Sequence, residues 1–344
     1  MILTISCASS IGSIMGLSLA CSHYKVNPKV IIIFPHFLDN TQIKNLKIFL
    51  KNEFHLPFVL VLKNKIINKL VKLILGFVIS SFLVRFLHIL SPRPYWFSKK
   101  ENHLQGKWLF YGDGFGSLCI RDKPDWLKPK LKIVPAKKNN IKYCFVINPY
   151  LNKINFKTKN LSKESAKKIV YKINKEIYDK ELEYWEELLN RYKKIHIVCL
   201  TTFVKTNRCS LLQEKEIIEK LILDIFNSFK ENREVIFFKP HPSGLNKEYI
   251  EVVLSQYFVN YPHRFLPIEI CNQFKSLPIE GLCQFSKENI IIYAGSAGPI
   301  SAAKHIYDIK LSLYPKNKYL KNYFDKEYTI EMINQRKALK VVQR

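Results

Sequence analysis

Short apolar runs, each closed by Gly, Pro, Asn or Ser and followed by residues at helical spacing, recur along the chain. That alternation predicts βα units and parallel sheets, because a strand buried on both faces needs helices to cover it. In the first half the runs are residues 2–7, 29–34, 57–62, 107–111 and 143–147, and the first turns at Ala8-Ser9-Ser10 into a helix over 11–21. A polar segment rich in Lys and Asn, 148–163, follows. Residues 165–193 then form a charged helical region whose apolar face is Tyr184, Trp185, Leu188 and Leu189. The second half reads as strand 195–200, helix 214–229, strand 234–238, helix 247–258, strand 289–293, helix 299–306 and strand 310–313. The pattern predicts an α/β fold with two Rossmann-like domains, 1–150 and 195–318, joined by a helical linker, 151–194. A C-terminal helical segment, 319–344, is placed to cross back to the first domain. In such a pair the expected site is a central cleft facing the carboxyl ends of the strands.

At 344 residues the chain is long enough for two domains, each with its own core. Its 47% hydrophobic and 24% charged residues exclude a disordered chain and a disulfide-stapled miniature. Lys plus Arg number 55 against 28 Asp plus Glu, a net charge of +27, yet only nine of the 55 are Arg. A lysine excess spread over the whole length is what an AT-biased coding sequence produces. The charge therefore predicts attraction to anionic surfaces, whether phospholipid, polyanionic glycan or nucleic acid, with an anionic membrane surface the expected partner and no specific nucleic acid. The densest runs are Lys63, Lys65, Lys69 and Lys72, then Lys128, Lys130, Lys132, Lys137 and Lys138, then the tail from Lys316.

The eight cysteines (Cys7, Cys21, Cys119, Cys144, Cys199, Cys209, Cys271, Cys283) are scattered, with no Cys-x-x-Cys pair, and read as reduced core thiols rather than a zinc site. Residues 1–20 lack a basic start, so no cleaved signal peptide is expected. The apolar stretch 70–90 is interrupted by Lys72, Arg85 and His88, and its charge-free core is shorter than the about 20 residues needed to span a bilayer. Two readings of it stand side by side. One is an apolar helix lying in a headgroup layer, collared by Lys65, Lys69 and Lys72; the other is a buried domain helix with a solvated first turn.

Three strand ends carry candidate chemistry. Gly112-Asp113-Gly114 follows the run 107–111, and its glycines let the backbone turn sharply, presenting Asp113 as a possible base or as an ordinary Asp-Gly turn. Lys239-Pro240-His241-Pro242 follows the run 234–238; the flanking prolines keep His241 out of helix and ladder alike and hold it as a presented side chain. Gly295-Ser296-Ala297-Gly298 follows the run 289–293, with Pro299 suited to a first helical turn, so that backbone N–H groups and the Ser296 hydroxyl can cradle an anion. The competing reading there is close strand-to-helix packing.

Order and spacing of these three motifs resemble the bacterial sialyltransferases of the GT-B fold, including the lipooligosaccharide and polysialic-acid enzymes. That family carries an acidic Asp/Glu-Asp/Glu-Gly motif in its first domain, a His-Pro motif in its second and a Ser/Thr pair further on. Gly112-Asp113-Gly114 is similar to the first, with Gly112 where an acid would stand. His241-Pro242 matches the second, and Gly295-Ser296 takes the place of the third, with Ala297 in the second position of the pair. The resemblance implies a GT-B-like architecture with an acceptor-side first domain and a nucleotide-sugar-binding second domain. It implies Asp113 as general base on the acceptor hydroxyl, His241 as acid at the cytidine monophosphate (CMP) phosphate and Ser296 as a donor to that phosphate. Pro278-Ile279-Glu280 is similar to the family's nucleoside-binding segment, which gives Glu280 the ribose or base. Gly114, Lys239, Pro242, Gly295, Ala297 and Gly298 complete the expected substrate-binding set.

Inverting transfer from C2 of a CMP-activated sialic acid needs a base and leaving-group stabilisation but no enzyme nucleophile. No cofactor or metal is expected, since His241 and a helix N-terminus can answer the phosphate charge. The implied partners are the CMP-sugar donor and a glycan or glycolipid acceptor of lipooligosaccharide or capsule assembly. The implied location is the cytoplasm, peripheral on the inner face of a bacterial inner membrane. Two further readings remain. One is a CDP-polyol phosphotransferase or CMP-Kdo transferase of capsule or teichoic-acid assembly; the other is a basic, non-catalytic protein that coats anionic membrane or nucleic acid.

Overall fold

The apolar runs of the first half become parallel strands. The computed structural model describes residues 3–8, 11–24, 27–34, 38–55, 58–64, 66–71, 74, 87–91, 107–111, 141–146, 158–160, 162–201, 203–204, 206–229, 233–241, 274, 277–285, 288–295 and 298–339. They fall into two compact units, Met1–Tyr178 and Asp179–Arg344.

In the first unit the strands are β1 (Leu3–Ala8), β2 (Val30–Ile33), β3 (Phe58–Val61), β4 (Leu87–Ser91), β5 (Lys107–Tyr111), β6 (Ile141–Val146) and β7 (Thr158–Asn160). Among the described residues they form a seven-stranded sheet, order β3-β2-β1-β4-β5-β6-β7, with every neighbouring pair parallel. The order reverses beside β1, the mark of a doubly wound sheet. Among the described residues α1 (Ile11–Tyr24) and α2 (Asn40–Phe54) pack on the sheet, and α3 (Lys163–Ile177) lies against both of them. The α2 start is set by a capping box, in which Asp39 Oδ1 accepts from the Gln42 backbone N–H at 2.8 Å and Gln42 Oε1 accepts from the Asp39 N–H at 3.2 Å. Ser162 caps α3 in the simpler way. Ile14, Leu17, Ile31, Phe34, Leu46, Leu50, Val170 and Ile173 are buried in this core.

Two sequence expectations change here. The apolar stretch 70–90 is not one helix: residues 66–71 and 74 are helical, whereas 87–91 are strand β4, slotted between β1 and β5. A short apolar run suits a buried strand as well as a helix, and the two flanking strands supply the pairing that decides. Among the described residues no helix is long and apolar enough to cross a membrane. The stretch read as a linker is also divided. Its charged helix breaks at Tyr178 into α3, part of the first unit, and α4 (Asp179–Arg191), part of the second.

The second unit continues with β8 (Lys194–Cys199), α5 (Leu211–Phe226), β9 (Glu234–Lys239), α6 (Ile279–Cys283), β10 (Ile290–Ala294), α7 (Gly298–Tyr307), β11 (Lys310–Leu313), α8 (Leu320–Tyr323) and α9 (Lys326–Ala338). The expected helix over 247–258 lies outside the described residues. Among the described residues the second unit's strands form a four-stranded parallel sheet, order β11-β10-β8-β9. A capping box of Ser210 and Gln213 starts α5, whose Ile217, Ile218, Leu221, Ile222 and Ile225 pack on Val198, Ile236 and Phe238 of the sheet. Leu320, Tyr323, Phe324 and Met332 of the closing helices enter that same core. The C-terminal segment thus contributes to the second unit's own hydrophobic core. Trp185 of α4 sits edge-on to Phe237 and Phe274 and donates its indole N–H to the Leu282 carbonyl at 2.9 Å, fixing α4 to α6.

Candidate functional site

In the second sheet the strand order switches between β8 and β10, and the crevice outside the carboxyl ends of such a pair is where doubly wound sheets hold ligands. Several expected site residues lie along that edge. Lys239 is the last residue of β9 and is buried; His241, two residues on, is half-buried. Burial lowers the Lys239 ammonium from its ordinary range, with the nearby Glu280 carboxyl and Cys199 thiol acting the other way. Glu280 stands in the first turn of α6. It keeps part of its surface, yet burial pushes its carboxyl up to about 7, against the pull of its own backbone N–H and of Lys239. A carboxyl poised near neutrality beside a desolvated ammonium is the kind of pair found where ligands bind. Cys199, at the end of β8, is pushed up to about 12 by burial and is no nucleophile. The Tyr307 hydroxyl of α7 is buried without a hydrogen-bond partner among the described residues, and it feels the charge of Glu280.

Gly295 closes β10 where the chain has room for nothing larger. A Cβ there would collide with Thr201 Cγ2 and lie 2.8 Å from Phe203 Cζ, so the loops after β8 and β10 touch at the switch point. Three residues later Gly298 opens α7, and the first turn of an α-helix leaves backbone N–H groups without an intrahelical acceptor. Asp113, Gly114, Pro242, Ser296 and Ala297 lie outside the described residues; β5 itself is present and ends at Tyr111, just before the Gly112-Asp113-Gly114 loop.

The pattern of strand ends did not reveal two supports of this edge. Arg336 of α9 is buried and gives hydrogen bonds from Nη1 to the Pro315 carbonyl (2.7 Å) and Asn317 Oδ1 (2.8 Å), and from Nη2 to the Tyr314 carbonyl (3.0 Å) and the Gly295 carbonyl (3.5 Å). Its burial lowers the guanidinium to about 10, which leaves it charged at neutral pH. The second support is Glu214, buried in the first turn of α5, which accepts a hydrogen bond from the Thr201 hydroxyl of the β8 loop. Tyr314 completes the tie by donating to the Cys199 carbonyl at 2.7 Å while its N–H reaches the Ala294 carbonyl. A signal for Arg336 existed in the composition, since arginine is scarce in a chain otherwise basic through lysine.

Below this edge, β8, β9 and β10 share a buried polar cluster. His196 bonds Glu234 Oε2 through Nε2 at 2.8 Å and the Tyr293 hydroxyl through Nδ1 at 3.0 Å, and Lys194 pairs with Glu234 at 3.0 Å. It ties three strands together, with His196 and Glu234 in the first halves of β8 and β9 and Tyr293 near the end of β10.

Neither a protein-family model nor a curated protein sequence matches the chain. Solved structures do match in fold. The UDP-GlcNAc 2-epimerase of Methanocaldococcus jannaschii superposes with a TM-score of 0.54 at 13% identity, over 99% of this chain and 92% of its own. An α/β-galactoside α-2,3-sialyltransferase of Photobacterium phosphoreum gives 0.54 at 12%, over 100% and 96%. A 2,6-sialyltransferase of Photobacterium sp. JT-ISH-224, solved with CMP and lactose, gives 0.53 at 11%, over 99% and 77%. At such identities the likeness speaks for the fold: this chain is an α/β protein of parallel sheets with the GT-B-like architecture.

Proposed function

We propose that this chain is an inverting glycosyltransferase that moves sialic acid, or a related nonulosonate, from a CMP-activated donor to a surface glycan. The observation that carries the reading is the closeness of Glu280, in the first turn of α6, to the buried Lys239 that ends β9, in the unit where the β8 and β10 ends meet at Gly295. The motif resemblance and the fold shared with two sialyltransferases support it.

In this reading the donor nucleotide occupies the second unit. Glu280 takes the nucleoside hydroxyls, while the α7 N-terminus with Ser296 takes the phosphate. Asp113 removes the acceptor hydroxyl proton as that oxygen forms its bond to C2. The bond from C2 to the phosphate oxygen breaks, CMP departs, and His241 donates to the departing phosphate, with the Lys239 ammonium adding positive charge behind it. The residues invoked supply base, acid and charge; no nucleophile and no cofactor are called for.

The UDP-GlcNAc 2-epimerase shares the fold to the same degree, so a UDP-sugar is the competing ligand class. A nucleotide panel separates them. At a hundredfold excess over its dissociation constant, CMP is expected to stabilise the protein by about 2.7 kcal/mol in thermal or denaturant unfolding, with UDP and GDP well behind. Transfer from CMP-sialic acid to lactose is then the activity to assay. Preference for UDP, with no CMP effect, overturns the proposal in favour of the epimerase class; preference for CDP favours the polyol phosphotransferase reading.

A further inference from the structure

The segment after β3 shows a surface that the transfer chemistry does not use. Asn64 starts a helical turn there: its side-chain oxygen accepts from the Ile66 N–H at 2.8 Å, and its carbonyl accepts from the Asn68 N–H at 2.9 Å. Residues 66–71 and 74 are helical. Their large apolar side chains face solvent rather than the core: Ile66 is 76% exposed, Leu70 56%, Ile74 51% and Ile67 47%. At 3.6 residues per turn these four share one arc of roughly 100°, whereas Asn68 and Val71, on the other side, are half-buried. Lys63 and Lys69 are exposed beside them, and the sequence adds Lys65 and Lys72 at helical spacing from Lys69. Between Glu53 and Glu101 the chain carries no acidic residue at all, while Arg85, Arg93, Lys99 and Lys100 add further positive charge.

We infer that this helical segment is a docking surface for an anionic phospholipid bilayer. Apolar side chains left in water beside lysines, in a stretch of sequence free of acidic residues, match the headgroup layer of such a bilayer: the isoleucines and Leu70 enter the acyl boundary and the ammonium groups meet the phosphates. A second copy of this chain would bring like charges face to face with no acidic complement. A nucleic-acid backbone would answer the lysines but leave the apolar arc in water. The segment contains none of the residues proposed for the transfer chemistry, so either reading can fail without the other.

The experiment is co-sedimentation of the full chain with phosphatidylcholine vesicles, with and without phosphatidylglycerol, at low and high salt. The double variant Ile66→Asn/Leu70→Asn and the single variant Lys69→Gln are run beside it. The protein is expected on the phosphatidylglycerol vesicles only, with binding weakened by salt, lowered about tenfold or more by the double variant and several-fold by Lys69→Gln. Because Ile66 and Leu70 are more than half exposed and Lys69 is exposed, the melting temperature is expected to hold, and this is checked alongside. Absence of binding by the unmodified chain, equal binding by the double variant, or a double variant that differs only in oligomeric state or RNA binding overturns the inference.

Discussion

Glu280 shows how one side chain couples stability to function. Its carboxyl is held at about 7 in the fold against an ordinary value of 4.5, with burial as the main cause. Between those values the unfolded chain gives up this proton and the folded one retains it, so the stability it contributes is present at low pH and is lost as pH rises through 7. Glu280→Gln stays neutral throughout. It is expected to match the parent protein near pH 4.5 and to exceed it by about 3 kcal/mol near pH 8, read from denaturant midpoints. A parallel pH dependence of the two proteins would mean a solvated carboxyl. If the carboxylate form receives nucleoside hydroxyls, CMP affinity should climb with pH over the same window in the parent protein and stay flat in the variant. Gly295 is the second single residue with a clear outcome: any side chain there meets Thr201 and Phe203, so Gly295→Val should damage CMP binding as well as stability.

At the scale of elements, α9 acts on the site from a distance. Its Arg336 guanidinium serves acceptors on both sides of the β10 and β11 ends, and no hydrophobic pattern announces that. Arg336→Lys keeps a charge but loses the planar fork, leaving buried carbonyls unpaired. It should cost about 2–4 kcal/mol in unfolding experiments and weaken CMP binding through the displaced Gly295 loop. Unchanged stability would mean that the carbonyls find other donors. Helix starts, by contrast, are local. Asp39, Ser162, Ser210 and Asp325 each cap a helix with the side-chain chemistry that their type suggests, and Ser210→Ala should cost about 1 kcal/mol by the same measurement.

At the scale of the whole molecule, the two proposed catalytic groups belong to different units of the chain: Asp113 follows β5 of the first, His241 follows β9 of the second. The division predicts distinct phenotypes. Asp113→Asn should lower sugar transfer by about 10²–10⁴ while leaving CMP affinity intact, because the nucleotide is assigned to the other unit. His241→Ala should lower transfer by a similar factor, and the two losses need not multiply, since both groups act on one transition state. Transfer at the parent rate by the Asp113→Asn protein would remove the base assignment and leave the glycine-flanked loop a simple turn.

Strand identity was legible wherever an apolar run was short and bounded. Runs such as 30–33, 194–199, 234–239 and 290–294 are buried in parallel sheets, and parallel burial demands that composition in almost any context. The same local logic made Lys239, His241 and Gly295 readable as strand-end residues. The residues at 87–91 were not legible, because an apolar pentapeptide carries no period and only its neighbours β1 and β5 make it a strand. Nor was the division at Tyr178, which rests on α3 packing against α1 and α2 rather than on any break in the charged helical pattern. Strand order, the switch point between β8 and β10, the nearness of Glu280 to Lys239 and the reach of Arg336 to Gly295 join residues far apart in sequence. The sequence by itself determined the strands and helices that carry a clear local pattern, and which residue types end them, but not β4 or the short polar β7. Tertiary packing alone decided which of those ends meet, because contact between distant segments depends on how whole faces bury one another and not on any local pattern.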